Sequence, residues 1–415
     1  MRILLLGAAG KIGSALLKDL IRSVAVSEII ADDLNIKRLK RVVQDLESEK
    51  IQTTQMNVTD GKKLTELMQD GFDSITSAIP GEYQYTAISV AIEAGVSFVD
   101  VGVDSPEVFY LNEAAKAADI TVVPNLGLDP GIDRVCQSYA ISQLDKVKAL
   151  RLYCGGIPQR PQKNDNPLGY KISWAWYHTI GTYLGKARLI RNGEIVEVDK
   201  FGPPENLELV RFPEPIGECE AFFSGASFDL IDQLNLKDLS EAWNKSVRWR
   251  GHCEIWQKLI ALHLIDFEPL QINMRIRSPP VGSHVFDIEY LDRPIEISPF
   301  EFLNALGEKY LQYKPGEGDA VVLRTEVIGE KNGKQIAIGH ELIDFYDPEL
   351  NITSMGRTTA YPTSIVSQMI VRGDLKERGV VHCGKIGMNP QTAKIFFAEL
   401  AKRNIIIKET VSKTL

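Results

Sequence analysis

The sequence predicts an α/β protein: a doubly wound parallel sheet at the N-terminal end, then a second α+β domain carrying an antiparallel sheet. Three observations lead there. Residues 1 to 125 alternate short apolar runs with segments of helical periodicity, the order that a parallel sheet with crossover helices requires. The first run, residues 2–6, passes directly into Gly7-Ala-Ala-Gly-Lys-Ile-Gly13 and then into a segment where Ile12, Ala15, Leu16 and Leu20 fall at helical spacing. Beyond residue 130 the alternation stops, and longer irregular, Pro-rich and charged stretches take over.

At 415 residues with 44% hydrophobic content, the chain is long enough for two domains, each with its own core. A net charge of −8 argues against nucleic acid or an anionic membrane as the main partner. Five cysteines stand without a C-x-x-C pair or a His/Cys spacing for metal, so no metal is expected and a reducing, cytoplasmic setting fits. No basic leader precedes the first strand and no apolar run is long enough to span a bilayer, so neither secretion nor membrane insertion is expected.

The opening strand, glycine turn and helix would present backbone N–H groups to a phosphate. Gly7, Gly10, Lys11, Ile12 and Gly13 are therefore candidate dinucleotide contacts. The spacing Gly7-x-x-Gly10-x-x-Gly13 departs from G-x-G-x-x-G, with Ala9 where the second glycine would stand, and an ordinary strand-to-helix turn is the alternative. Residues 28–33 form the next strand and end in two acids, where a carboxylate meets an adenosine ribose hydroxyl. Asp32 is the candidate ribose ligand, and Asp33 beside it opposes a 2′-phosphate. NAD is thus expected over NADP, although Lys37 and Arg38 nearby keep NADP open.

Residues 39–46 read as a helix and 51–58 as a strand, with Asn57 and Val58 placed to flank an adenine. Strands follow at 72–79, 97–103 and 120–124, separated by helices at 85–94 and 106–118. Ligands gather outside the carboxyl ends of such strands, so Ala78, Ile79, Pro80 and Gly102, with the run Asp100-Val-Gly-Val-Asp104, face the cofactor cleft. The turn Asn125-Leu-Gly-Leu-Asp-Pro-Gly-Ile-Asp133 does so too; Asp133 fits a helix-initiating cap as well as a substrate contact. In the second domain, 147–155 is a strand, 156–169 a loop and 171–184 a helix. Residues 187–198 form a hairpin turned at Asn192-Gly193. Strands are expected at 247–250, 285–290 and 320–328, the last paired with 335–342, and helices at 358–372 and 390–403. The expected divisions are 1–128, 129–357 and 358–415.

The stretches Tyr153-Cys-Gly-Gly-Ile-Pro158, Asp165-Asn-Pro-Leu-Gly-Tyr-Lys-Ile-Ser-Trp174 and Asn125 to Asp133 closely resemble the saccharopine dehydrogenase family, which includes glutamate-forming saccharopine reductases and lysine 6-dehydrogenases. Weaker matches at Val247-Arg-Trp-Arg-Gly-His252, Gly316-Glu-Gly-Asp-Ala-Val-Val-Leu323 and residues 372–380 extend the likeness over nearly the whole chain. The resemblance implies a Rossmann domain, a substrate and dimerisation domain inserted after it, and a helical C-terminal segment returning to the first domain. A homodimer is expected. It also implies oxidation of an amine-bearing lysine ε-carbon, with hydride passing to a nicotinamide and the resulting imine hydrolysing to an aldehyde.

Residue by residue, the resemblance implies that Asp129 is an acid/base or amine-binding group and Cys154 the family's cysteine. It implies that Tyr170 and Lys171 face the substrate, Lys171 as a catalytic group, and that Arg248 grips a carboxylate with its planar fork. His252, in the Arg-Gly-His turn of the lysine 6-dehydrogenase branch, is a further substrate-site candidate. Cys154 as a buried small hydrophobe, His252 as a packed histidine and surface salt bridges for the charged residues remain the alternatives. Two departures bear on substrate: Val103 precedes Ser105-Pro106 where saccharopine reductases carry tyrosine, and Phe223-Ser-Gly-Ala-Ser227 replaces a run bearing an arginine. Residues 187–198, 220–223 and 355–359 match the lysine 6-dehydrogenase side. Saccharopine, lysine and related carboxyalkyl amines of polyamine type all remain open. Tyr310-Leu-Gln-Tyr-Lys314 matches a short-chain dehydrogenase string but lies in the second domain, and His340-Glu341 lacks the second histidine of a zinc hydrolase. A non-catalytic nicotinamide sensor is the competing class.

Overall fold

The apolar runs of the first 125 residues form the core of an all-parallel, seven-stranded sheet in a computed structural model that describes residues 1–102, 106–160, 164–277 and 287–413. In chain order come β1 (Arg2–Leu6), α1 (Lys11–Arg22), β2 (Glu28–Asp32), α2 (Ile36–Leu46), β3 (Ile51–Thr54), α3 (Gly61–Met68), β4 (Ser74–Ser77), α4 (Gln84–Ala94), β5 (Phe98–Asp100), α5 (Asn112–Ala117) and β6 (Thr121–Val123). The order β3-β2-β1-β4-β5-β6 reverses between β1 and β4, the point at which doubly wound sheets bind dinucleotides. Strand β1 is buried on both faces, as its unbroken apolar run requires. Ile3 and Leu5 pack with Leu16 and Leu20 of α1 on one side, and Leu4 and Leu6 pack with Leu64 and Ile88 on the other.

Several strands are shorter than their apolar runs. The run at 51–58 stops at Thr54, because Asn57 turns the chain into α3 by accepting hydrogen bonds from Thr59 and, through its carbonyl, from Asp60. Residues 103–105, which include Val103, Asp104 and Ser105, lie outside the described residues. The helix expected at 106–118 is a 3₁₀ turn over Pro106–Leu111 followed by α5.

The second domain follows as α6 (Ile132–Ile141), β7 (Lys146–Pro158), α7 (Trp176–Tyr183), β8 (Lys186–Arg191), β9 (Glu194–Asp199), β10 (Leu207–Arg211), β11 (Glu218–Gly225), α8 (Phe228–Gln233), β12 (Glu241–Arg248) and α9 (His252–Ala261). Next are β13 (Leu270–Arg277), β14 (Asp287–Ile297), α10 (Pro299–Tyr310), β15 (Asp319–Lys331) and β16 (Lys334–Phe345). Its nine-stranded sheet is mixed rather than purely antiparallel: β7 and β12 run parallel, which the long intervening crossover permits, while their other neighbours run antiparallel. Strand β7 also continues through Pro158, where a loop was expected, because β15 pairs with it along its whole length. Gly155 and Gly156 extend it by leaving room for the Val247 backbone and the Met355 side chain. The helix expected from residue 171 begins only at Trp176, since Ile172 donates its N–H to the Leu311 carbonyl.

The C-terminal part joins both sheets. Helix α11 (Ser354–Arg372), which spans the expected division at 357/358, packs along α1, and Ser364 donates to Asp19 at 2.6 Å. Strand β17 (Gly379–Val380) adds a seventh parallel strand beside β6. After α12 (Gly384–Met388) and α13 (Pro390–Ala401), β18 (Ile407–Lys413) pairs with β16 in the second sheet. Among the described residues no helix is long and apolar enough to cross a membrane.

Candidate active site

The glycine turn carries three different constraints. Gly7 has φ +75°, and a Cβ there would lie 2.7 Å from the Ala78 carbonyl oxygen of the β4 end. A Cβ on Gly13 would strike the Gly7 carbonyl, so this glycine seats α1 against the strand. Gly10 caps α1 and has only the Gly7 carbonyl near it, leaving open space before the first helical N–H groups of Lys11, Ile12 and Gly13, which by helix geometry lack intrahelical acceptors. Ala8 donates to the Asp32 carbonyl and Ala9 to the Asp33 carboxylate, both at 2.9 Å, so the turn is tied down to the end of β2.

The two acids of β2 differ sharply. Asp32 is 1% exposed, and burial pushes its carboxyl up to about 7. Asp33 is half-buried at the turn and also accepts from the Asn35 N–H at 2.8 Å. Asn57 is exposed and Val58 half-buried after β3. Ile12, Ala78, Ile79, Pro80 and Gly102 line one wall of a cleft of about 1250 Å³, and Trp174, Tyr177 and His178 of the second domain line the other. Lys11 reaches across the domains to 3.5 Å from the Ile172 carbonyl, and burial pulls its amine below the ordinary lysine range.

A second cluster lies at the end of β12. Arg248 Nε donates to the Tyr183 hydroxyl at 2.8 Å, Tyr183 lies 3.1 Å from His252 Nε2, and His252 Nδ1 lies 2.8 Å from the Leu168 carbonyl. The carbonyl requires a proton on Nδ1, so Nε2 accepts from Tyr183, and Tyr183 accepts from Arg248. Burial, reinforced by the Arg248 charge, lowers His252 to about 3 and keeps it neutral. The guanidinium also lies over the Tyr170 ring at 5.2 Å. Arg248 is 7% exposed, and among the described residues no carboxylate stands within ion-pair distance of it.

Cys154 is on β7, opposite Ser246 of β12, and is half-buried. Burial first, then the charges of Asp129 and Asp133, push its thiol well above the ordinary range, against the opposing pull of Arg248 and Arg134. It is a neutral thiol, not a nucleophilic thiolate. In the turn before α6, Asp133 is fully buried and accepts the Gly131 N–H at 2.9 Å, closing the turn. The side chain of Asp129 is 30% exposed, 3.5 Å from Arg134. Lys171, 3% exposed, sits 2.8 Å from Asp165 and 2.5 Å from Glu317. Burial pulls its amine down, but the two carboxylates outweigh burial and raise it, so it is an ion-paired cation unsuited to accepting a proton. Among the described residues, no group of three His, Cys, Asp or Glu side chains is placed to hold a metal ion.

Residues 3–123 match the family model of the saccharopine dehydrogenase NADP binding domain, and residues 127–406 that of the saccharopine dehydrogenase C-terminal domain. The chain belongs to the saccharopine dehydrogenase family. Among curated relatives, saccharopine dehydrogenase (NADP(+), L-glutamate-forming) of Schizosaccharomyces pombe is 25% identical over 362 residues, covering 74% of this chain and 78% of that protein. The Saccharomyces cerevisiae protein of the same name is 26% identical over 379 residues, covering 79% and 82%. Alpha-aminoadipic semialdehyde synthase of Arabidopsis thaliana is 24% identical over 409 residues, and the match spans 85% of this chain but only 38% of that longer protein. In fold, the chain is similar to apo histidine-tagged saccharopine dehydrogenase (L-Glu forming) from S. cerevisiae, with a TM-score of 0.82 at 21% identity over 99% of both chains. As a saccharopine dehydrogenase family member, it is an oxidoreductase of the CH–NH class with a nicotinamide-binding domain.

Against this saccharopine dehydrogenase frame, sequence reasoning missed four residues that the structure makes central. Tyr183 joins Arg248 to His252, and Arg134, Asp229 and His382 form an ionic group beside Asp129. Tyr183 ends an aromatic helix and reads locally as core. Arg134 meets Asp229 95 residues further along the chain, and Asp229 in turn meets His382 another 153 residues on.

Proposed function

We propose that this protein oxidises the amine-bearing ε-carbon of saccharopine or lysine. The observation carrying this reading is the buried Arg248 guanidinium, which has no carboxylate partner among the described residues. A buried lone cation is costly by several kcal/mol, and a substrate carboxylate relieves that cost with two parallel hydrogen bonds. Asp129, open to solvent beside the Cys154 strand, is the carboxylate that would meet the substrate ammonium and accept its proton. The glycine cradle fits a dinucleotide: the space in front of Gly10 is open, and the α1 N-terminus faces it. The bound nicotinamide would supply the hydride acceptor. The C–H bond breaks with its electron pair leaving as hydride, the nitrogen loses a proton and a C=N bond forms. Water then adds to that carbon, and the amine departs to leave an aldehyde.

For the cofactor we propose NAD in preference to NADP, because Asp33 holds its carboxylate at the turn where a 2′-phosphate would approach. The relatives' names point to NADP, and Arg38 on α2 is the cation that would favour it. Carboxyalkyl amines of polyamine type are the second substrate class.

The test combines purified protein with NAD or NADP and, separately, saccharopine, lysine and a carboxyalkyl polyamine, following the absorbance of the reduced cofactor. One pairing is expected to turn over, and Arg248→Met is expected to raise its KM at least about tenfold, the loss of roughly 1.4 kcal/mol of carboxylate binding. Measurable cofactor binding with no turnover for any pairing overturns the reading in favour of a nicotinamide sensor.

A further inference from the structure

At the start of α6 one guanidinium serves three carboxylates. Arg134, nearly buried, contacts Asp133 through Nη1 and lies 3.5 Å from Asp129 through the same nitrogen. Its Nε stands 3.0 and 2.8 Å from the two oxygens of Asp229 in the first turn of α8. Behind it, Asp229 is 3.1 Å from Nε2 of His382, just past β17, and His382 Nδ1 accepts the Gly384 N–H at 3.0 Å. With Nδ1 accepting, the proton of the neutral ring is on Nε2 and is donated to Asp229. A continuous polar chain thus runs from Asp129 through Arg134 and Asp229 into the C-terminal segment.

We infer that Arg134 is a positioning residue that keeps Asp129 ionised and aimed at the substrate amine, with Asp229 and His382 holding Arg134 in place. The inference rests on the reading of Asp129 as the group that receives the amine proton. The charge balance supports it. Asp129 and Asp133 flank one short turn; burial first, then the Asp129 charge, raises the buried Asp133 carboxyl, and a cation is needed to offset both that burial and the repulsion between the two acids. The guanidinium is that cation, and it lies nearer Asp133 than Asp129, leaving Asp129 partly exposed on its outer side. The other titratable groups facing this cluster among the described residues are Cys136 of α6, Cys154 of β7, Cys383 beside His382, and Arg248 of β12. Burial keeps all three thiols neutral, so Arg134 and Arg248 are the fixed cations of the site. Arg248 is free for a substrate anion because Arg134 takes the acids.

The experiment is the pH profile of kcat/KM, whose acid limb reports the base of the free enzyme, measured with the purified full chain and its active substrate pair. Removing an opposite charge a few ångströms away raises a carboxylate pKa by about one to three units. Arg134→Met is therefore expected to move the acid limb up by at least about one unit, with cofactor affinity unchanged, and Arg134→Lys to restore most of that shift. Asp229→Asn, which deletes one acid and frees Arg134 to lean toward Asp129, is expected to move the limb down, and it serves as the test if Arg134→Met does not fold. An acid limb that stays in place in the folded Arg134→Met protein, or in Asp229→Asn, overturns the inference and leaves Arg134 a structural ion pair. Asp129→Asn separates the two readings: if the acid limb survives that substitution, Asp129 is not the base and the proposed function loses its proton acceptor, whatever Arg134 does.

Discussion

Replacing Tyr183 by Phe removes one oxygen atom from the middle of the Arg248–Tyr183–His252 chain. The ring keeps its edge contacts, with centroids 4.6 Å from Trp256, 5.4 Å from Phe201 and 5.5 Å from Phe222, so the aromatic core is preserved. Two polar groups lose their partner: the Arg248 Nε–H, bonded at 2.8 Å, and His252 Nε2, at 3.1 Å. A hydrogen bond to a charged group contributes roughly 1.5–3 kcal/mol, and a stranded buried acceptor costs about 1–3 kcal/mol. The folded protein is therefore expected to lose about 3 kcal/mol, seen as a lower denaturant midpoint at an unchanged slope. The functional effect separates from this. A guanidinium freed on one side presents its fork in several orientations, and a loss of about 1.4–2.8 kcal/mol in carboxylate binding raises KM ten- to a hundredfold. The value of kcat should stay within about threefold, because nothing at the glycine cradle moves. Initial rates against substrate concentration measure both constants. An unchanged KM in a destabilised Tyr183→Phe protein would refute the reasoning and make Tyr183 a packing residue alone.

Asp32→Asn keeps the side-chain shape and deletes the charge. Burial raises the folded carboxyl to about 7 from an unfolded value near 3.8, so the fold holds a proton that the unfolded chain has released between those values. The ionised form is penalised as pH rises through 7, and the variant is expected to melt higher than the parent at pH 8 and within a degree or two of it at pH 4; equal melting temperatures at pH 8 would contradict the assignment. Asp33→Arg is expected to lower the KM for NADP relative to NAD, and an unchanged ratio would remove Asp33 from cofactor choice. Gly13→Ala, whose Cβ meets the Gly7 carbonyl, is expected to lose about 1–3 kcal/mol of stability, whereas Gly10→Ala should fold normally and weaken cofactor binding in a fluorescence titration. We also propose that two copies pair through the β13–β14 ribbon. Leu270, Ile272, Met274, Ile276, Ile288 and Tyr290 are each more than a third exposed there, a two-stranded ribbon is marginal alone, and a two-fold axis lets one apolar face cover itself. Light scattering should report twice the chain mass, and Ile272→Glu with Tyr290→Glu should halve it; a monomeric parent would contradict the pairing.

The doubly wound sheet was legible because each of its signals is local. A strand buried on both faces must be an apolar run, as in Arg2–Leu6, and the turn and helix that follow it are contiguous in the chain. The mixed character of the second sheet was not, because β7 and β12 meet only after a crossover of more than eighty residues, and nothing within either strand records its neighbour's direction. The same division runs through the site. Sequence and family likeness pointed to Lys171, His252, Asp133 and Arg248 as chemical groups, but a titratable side chain takes its role from its partners. Lys171 meets Glu317 146 residues away and becomes a fixed cation. His252 meets Tyr183 69 residues back and becomes a neutral acceptor. Asp133 is the exception whose partner, the Gly131 N–H, lies two residues away, and its turn-closing part was readable from the Pro-Gly that precedes it. Arg248 stands at the opposite extreme. Its chemistry follows from the acids that are not beside it among the described residues, while Arg134, a short distance across the same site, gathers three. No local pattern distinguishes those two arginines, yet the distribution of carboxylates between them is what the proposed contacts, Arg248 with a substrate anion and Asp129 with its amine, rest on.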